Sequence, residues 1–209
     1  MIAFVRRTTD IAANCMIDLY GPCSCGSGKK YKFCCKEKEK QFNNVPPREL
    51  VRRSKEFPIS ECIVDEGWAE RGMATIIVVR QLPNLRCIFG CYLVDTLCLG
   101  LKNTFCNANL PYSEIAGFKN RMPHSLMPID YEDARSIVFG AMAFAKRLGF
   151  EPNQDWVDSK WILEHERPSV RKFEFGRDGH PVFIAGPDDD SEKILSTLSK
   201  AMSEHKPTV

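Results

Sequence analysis

Ala74-Thr75-Ile76-Ile77-Val78-Val79-Arg80 and Cys87-Ile88-Phe89-Gly90-Cys91-Tyr92-Leu93-Val94 are the stretches on which the fold turns. Both are rich in β-branched and aromatic side chains, which suit a pleated, half-buried surface. Leu82-Pro83-Asn84-Leu85 supplies turn residues between them, so the pair is predicted to form a β-hairpin.

Downstream, Asp130 to Gly149 reads as a helix. Asp130 is placed to cap it, Glu132 and Asp133 suit the positive end of its dipole, and Gly149 suits its close. Ala134, Ile137, Val138, Ala141, Ala145 and Leu148 recur at spacings of three and four, which puts them on one face. A second helix is predicted over Gln154 to Glu164. Strands at Arg171 to Phe175 and Pro181 to Ala185 follow, with a hairpin turn at Gly176 to Gly179. A final helix is predicted over Ser191 to Ser203, capped from the Asp188–Asp190 run. Upstream, Arg48 to Phe57 reads as a short helix and residues 3–20 as a further helical segment. The order β-β-α-α-β-β-α predicts an α+β domain of antiparallel hairpins and helices over residues 48–209.

Between these regions, Cys23, Cys25, Cys34 and Cys35 stand as C-x-C, eight residues, then C-C. A tetrahedral zinc ion needs four thiolate or imidazole donors that converge, with sulfur at roughly 2.3 Å. Two pairs of near-adjacent thiols joined by a loop that folds back meet that demand. Gly26 and Gly28 allow the backbone to turn tightly, and Tyr31 and Phe33 offer an apolar plug for a unit too short to have a core. With four thiols bound, no position is left for water, so the predicted cofactor is one structural Zn²⁺. The competing readings are ordinary core cysteines, or a redox pair at Cys34-Cys35.

Pro22-Cys23-Ser24-Cys25-Gly26-Ser27-Gly28-Lys29-Lys30-Tyr31-Lys32-Phe33-Cys34-Cys35 closely resembles the SEC-C motif, known from the zinc-binding tail of the SecA translocation ATPase. The resemblance covers only this segment. It implies a docking module that contacts a protein or a ribonucleoprotein, carried as an appendage on unrelated domains. Leu93-Val94-Asp95, Cys98-Leu99-Gly100, Lys102 and Phe105 also resemble a stretch of uncharacterised bacterial SEC-C-containing proteins, and no activity comes with that likeness. Residues 21–41 are therefore expected to be the knuckle. Residues 42–47, with Val45-Pro46-Pro47, are expected to link it to the larger domain, and residues 1–20 to precede it.

The formal net charge of +2 excludes a polycation, so an anion-binding surface has to be local. From Gly21 to Lys40 there are six lysines and two glutamates, which sum to +4. A zinc ion with four thiolates adds about −2. Lys29, Lys30 and Lys32 are the candidate partner-binding residues, although part of the lysine charge offsets the thiolates. Arg48, Arg52, Arg53 and Lys55 extend a basic face or form a solvated helix surface.

The 44% hydrophobic and 27% charged content is that of a soluble globular protein. Arg6 and Arg7 follow the apolar run Ile2 to Val5 instead of preceding it, so no targeting signal is read. No stretch approaches the ~20 apolar residues of a membrane span, so no membrane insertion is expected. Six of the ten cysteines sit mostly in apolar segments, where a reduced thiol behaves as a small hydrophobe. The expected compartment is the reducing cytoplasm.

No catalytic constellation stands out. Cys98 with His124, His165 or His180 as base is one enzyme reading, and Leu97 and Leu99 argue that this thiol is buried. Asp65, Glu66, Asp95, Asp155 and Asp158 gathering a divalent cation is another, with no motif to fix their geometry. Trp156 and Trp161 read as packing, His165 as an exposed helix end and His180 as a turn residue. The sequence thus predicts a zinc-binding adaptor or accessory protein, rather than an enzyme, that docks through its knuckle on a protein or ribonucleoprotein, nucleic acid included. A hydrolase of nuclease or thiol type, with the knuckle as a targeting module, is the alternative.

Overall fold

A computed structural model describes residues 18–23, 26–168 and 173–204. In chain order its elements are α1 (Cys35–Asn43), α2 (Pro47–Arg52), β1 (Ile59–Asp65), α3 (Trp68–Arg71), β2 (Met73–Gln81) and β3 (Cys87–Asp95). Then come β4 (Gly100–Leu110), α4 (Tyr112–Lys119), β5 (Leu126–Pro128), α5 (Tyr131–Arg147), α6 (Trp156–Ser159) and α7 (Ser191–Glu204). The predicted hairpin is the centre of a five-stranded sheet in the order β4-β3-β2-β1-β5. Every neighbouring pair is antiparallel, so the α+β class holds.

Alternation along β2 and β3 divides the apolar side chains between two faces. On one, Ile76, Val78, Ile88 and Tyr92 pack with Ile137, Val138 and Ala141 of α5 and with Leu50 and Ile162. On the other, Ile77, Val79 and Phe89 pack under Ile115 and Phe118 of α4. The helix α5 forms as its pattern predicts, with Asp130 Oδ1 accepting the Glu132 N–H at 2.8 Å. Close approach of α5 to the start of β4 requires Gly100. Its φ is 70°, and a Cβ there would stand 2.7 Å from that of Ala145.

Two buried guanidinium groups hold the segment after α6. Arg135, fully buried, donates to the carbonyls of Leu163, Glu164 and Arg167 and pairs with Glu132. Arg80 donates to the carbonyls of Phe57 and Ile162 and pairs with Glu164 at 2.6 Å. These contacts explain a correction. The second helix runs only over Trp156–Ser159, not to Glu164: the chain continues in single i to i+3 turns, the Ile162, Leu163 and Glu164 carbonyls accept from arginine, and Glu164 turns to φ 50°.

Other expectations also change. Phe173 to Phe175 and Pro181 to Ala185 are not strands, and Arg171 lies outside the described residues. The turn itself forms, with Arg177 and His180 bridged. The flanking backbone is taken by the β3–β4 turn instead: Gly176 N–H donates to Thr96 O and Val182 N–H to Leu97 O. Thr96 to Leu99 form that turn, and its Leu97 and Cys98 N–H groups donate to Asp95 Oδ1. Helix α7 begins as predicted, with Asp190 Oδ1 accepting the Lys193 N–H, while Asp189 pairs with Lys102 at 2.7 Å. Of the predicted helix at residues 3–20, residues 3–17 lie outside the described residues and Leu19-Tyr20 form a turn. Among the described residues no helix is long and apolar enough to cross a membrane.

Candidate metal centre

The knuckle is built on a short antiparallel arm. Cys23 N–H donates to Lys29 O at 2.8 Å, Tyr31 N–H to Gly21 O at 3.0 Å and Lys32 N–H to Leu19 O at 2.9 Å. Gly26 and Gly28, at φ 75° and 71°, turn the loop that connects the two sides, a conformation glycine adopts without steric cost. A single 3-10 turn over Tyr31–Phe33 then delivers Cys34 and Cys35, and Cys35 opens α1.

The Sγ atoms of Cys23, Cys34 and Cys35 all lie within 4.8 Å of one another. Sulfurs at roughly 2.3 Å from a tetrahedral ion stand about 3.8 Å apart, so small side-chain adjustments bring these three onto one metal. Cys23 and Cys34 are buried and Cys35 is half-buried. The Ser27 hydroxyl lies 3.1 Å from Cys34 Sγ, and the start of α1 turns its positive end toward the pair. This cluster could hold a metal ion. Cys25, the predicted fourth ligand, lies outside the described residues. Ligand type also fits, since thiolates select zinc over the hard cations.

The apolar plug is half of what the sequence suggests. Tyr31 is buried at 7% exposure, but Phe33 stands 63% exposed. A 3-10 turn places residues two apart on different sides, so burial of Tyr31 turns Phe33 outward. Lys29 and Lys30 are exposed, Lys32 Nζ lies 5.6 Å from the Phe33 ring centroid, and it donates to the Tyr20 hydroxyl at 3.1 Å. Sequence reasoning missed Tyr20, whose ring is 58% exposed beside this lysine. Of the downstream basic residues, Arg48, Arg53 and Lys55 are paired with Asp158, Glu56 and Glu166.

Comparison with protein-family models, with curated proteins and with solved structures finds no match for this chain.

The residues weighed for catalysis are dispersed. Cys98 is fully buried, and burial together with the Asp95 charge pushes its thiol up to about 12. The thiol packs with Leu99 and Leu198 as a small hydrophobe. Asp65 pairs with Arg71 and accepts from Thr75 N–H, Asp95 caps its turn, and Asp158 meets Arg48. Among the described residues the three cysteines form the one metal-capable group of His, Cys, Asp or Glu. Trp156 and Trp161 pack on the main core, as expected. His165 is not an exposed helix end: it is half-buried edge-on to Trp161 at 4.5 Å, with Nδ1 lacking a hydrogen-bond partner. Burial and the nearby Lys160 and Lys55 charges lower its pKa.

Proposed function

We propose that Cys23, Cys25, Cys34 and Cys35 hold one structural zinc ion, and that the knuckle so formed is the docking module of an adaptor protein working in the reducing cytoplasm. The observation that carries this reading is the convergence of three thiols in a segment whose Lys29 and Lys30 are exposed. The lysine ion pairs among the described residues belong to Lys40, Lys55, Lys102 and Lys119, which leaves Lys29, Lys30 and Lys32 for a partner. The SEC-C resemblance of Pro22 to Cys35 supports the same assignment.

The physical mechanism is preorganisation. Zinc binding supplies the free energy that fixes a loop with almost no core of its own. A partner then meets cations whose ordering cost has already been met. Residues 48–168 and 173–204 form the body on which the module is mounted. Helix α1 joins the two through Phe42, edge-on to Phe57 at 5.6 Å, and through Asn43, whose side chain accepts from Asn84 at 3.1 Å.

The test is the triple change Lys29→Glu, Lys30→Glu and Lys32→Glu in affinity capture from native lysate. Ribosomes or one dominant protein should be recovered by the unaltered chain and lost by the variant, with zinc content equal in both. Capture that survives the charge reversal would reduce the knuckle to a structural staple.

A further inference from the structure

The exposed face of the knuckle combines two open aromatic rings with cations. Tyr20 and Phe33 are 58% and 63% exposed, well beyond what packing within the knuckle would leave. The Lys32 ammonium lies 4.9 Å from the Tyr20 ring centroid and 5.6 Å from that of Phe33. The bond from Lys32 N–H to Leu19 O pins the turn that carries Tyr20 against the turn that carries Phe33. Lys29 and Lys30, the two residues before Tyr31 in the chain, are exposed. The rings are thus held in place by the same small scaffold that gathers the thiols.

Two features narrow the class of partner. Protein interfaces are enriched in arginine and depleted in lysine, whereas Asp18 to Pro47 holds six lysines and no arginine. Lysine meets phosphate as a flexible point charge, and arginine, which reads fixed phosphate and base groups with bidentate geometry, is absent from this stretch. Exposed aromatic rings among such charges stack on nucleobases, and every base offers a π face once it is unstacked. A duplex hides those faces.

Building on the docking reading above, we infer that the partner surface is single-stranded nucleic acid, with bases stacked on Tyr20 and Phe33 and phosphates held by Lys29 and Lys30. Lys32 orients the rings. The site reads backbone charge and base faces, not base edges, so its sequence preference is weak.

The experiment uses the full, zinc-loaded chain and fluorescence anisotropy. The probes are an oligouridylate of about ten nucleotides, an oligodeoxythymidylate of the same length, a duplex and a polyglutamate peptide. Both single strands should bind, or the RNA alone, and the duplex much more weakly. Tyr20→Leu and Phe33→Leu should each weaken single-strand binding roughly five- to hundred-fold at unchanged zinc content. Lys29→Gln should instead reduce the salt slope by about one. Equal binding of duplex and single strand, or Leu variants that bind like the parent, would overturn the inference and leave charge alone. Polyglutamate bound in preference to both strands would overturn it while leaving the docking reading intact. A zinc-loaded chain that binds no probe would overturn it, and the docking reading falls too if lysate capture ignores the lysine reversal.

Discussion

In the knuckle, Cys23, Cys34 and Cys35 bring their sulfurs within 4.8 Å of one another, on an arm with little else to hold it. In the sheet, Cys87 and Cys91 project from β3 into one apolar layer, while Cys62 and Cys106 face the other. There burial is the leading influence, and it pushes Cys62 and Cys91 up to about 12 and Cys106 to about 11. The same side chain belongs to a convergent, metal-capable group in one region and is a small hydrophobe in the other. Convergence is what separates the two: the body holds more of the described cysteines than the knuckle, and none of them assemble into a metal-capable group. The body is held by its own core and its buried arginines, so the two regions should fail independently.

Cys34→Ser should produce the largest separation. A structural zinc in a small module is worth about 10–16 kcal/mol of apparent binding free energy, so losing a ligand removes most of what folds the loop. Hydrogen exchange should show the amides of Cys23, Tyr31 and Lys32 unprotected while those of β2 and β3 stay protected. Cys98→Ala is the control: zinc should stay at one per chain, and denaturant unfolding should show a loss of about 1 kcal/mol. A Cys98→Ala chain that lost its metal would collapse the comparison.

The opposite separation comes from Arg135→Met. Removing a fully buried guanidinium leaves three carbonyls without their donor and Glu132 paired with Arg167 alone, at a cost to the body of about 1–3 kcal/mol for each group left unsatisfied. Denaturant titration should report that loss while zinc content is unaltered. Asp130→Ala, which removes the cap of α5, should cost about 1 kcal/mol by the same measurement, again with zinc retained.

The hairpin, α5 and α7 were legible because local chemistry and burial agree there: β-branched alternation, an Asp cap, an apolar stripe at three and four. Strands β1 and β4 were not. Asn103, Asn107 and Asn109 give β4 poor strand propensity, and its form comes from pairing with β3 along nine registered positions. The segment after α6 read as helix because its apolar spacing continues. Buried Arg80 and Arg135, far away in sequence, take its carbonyls instead. In the knuckle the convergence of Cys23, Cys34 and Cys35 was legible in their spacing alone. Exposure of Phe33 and the part played by Tyr20 depend on how the arm pairs, which the spacing of ligands does not encode.

Acid should act on the body by a small, defined amount. Burial pushes the Glu164 carboxyl up, but the hydrogen bond and charge of Arg80, with Arg167, outweigh it and hold the group below its ordinary 4.5. Asp189 is likewise raised by burial and carried below 3.8 by Lys102 and the Gly186 N–H. Carboxyls depressed in the folded state stabilise it fully above their unfolded values, and that stability is lost as pH falls through the folded ones. Glu164→Gln and Asp189→Asn should therefore flatten the acid limb of a stability-versus-pH curve below about pH 4.5 and change little near the base of the knuckle. An unchanged acid limb would show that these pairs contribute nothing measurable.

Zinc K-edge X-ray absorption on the full chain tests the central claim most directly. Four sulfur ligands at roughly 2.3 Å, with one zinc per chain, is the predicted result, and it would make Cys25 the fourth partner of Cys23, Cys34 and Cys35. Three sulfurs with an oxygen or nitrogen in the remaining position, or a chain that retains no zinc, would contradict a closed structural centre.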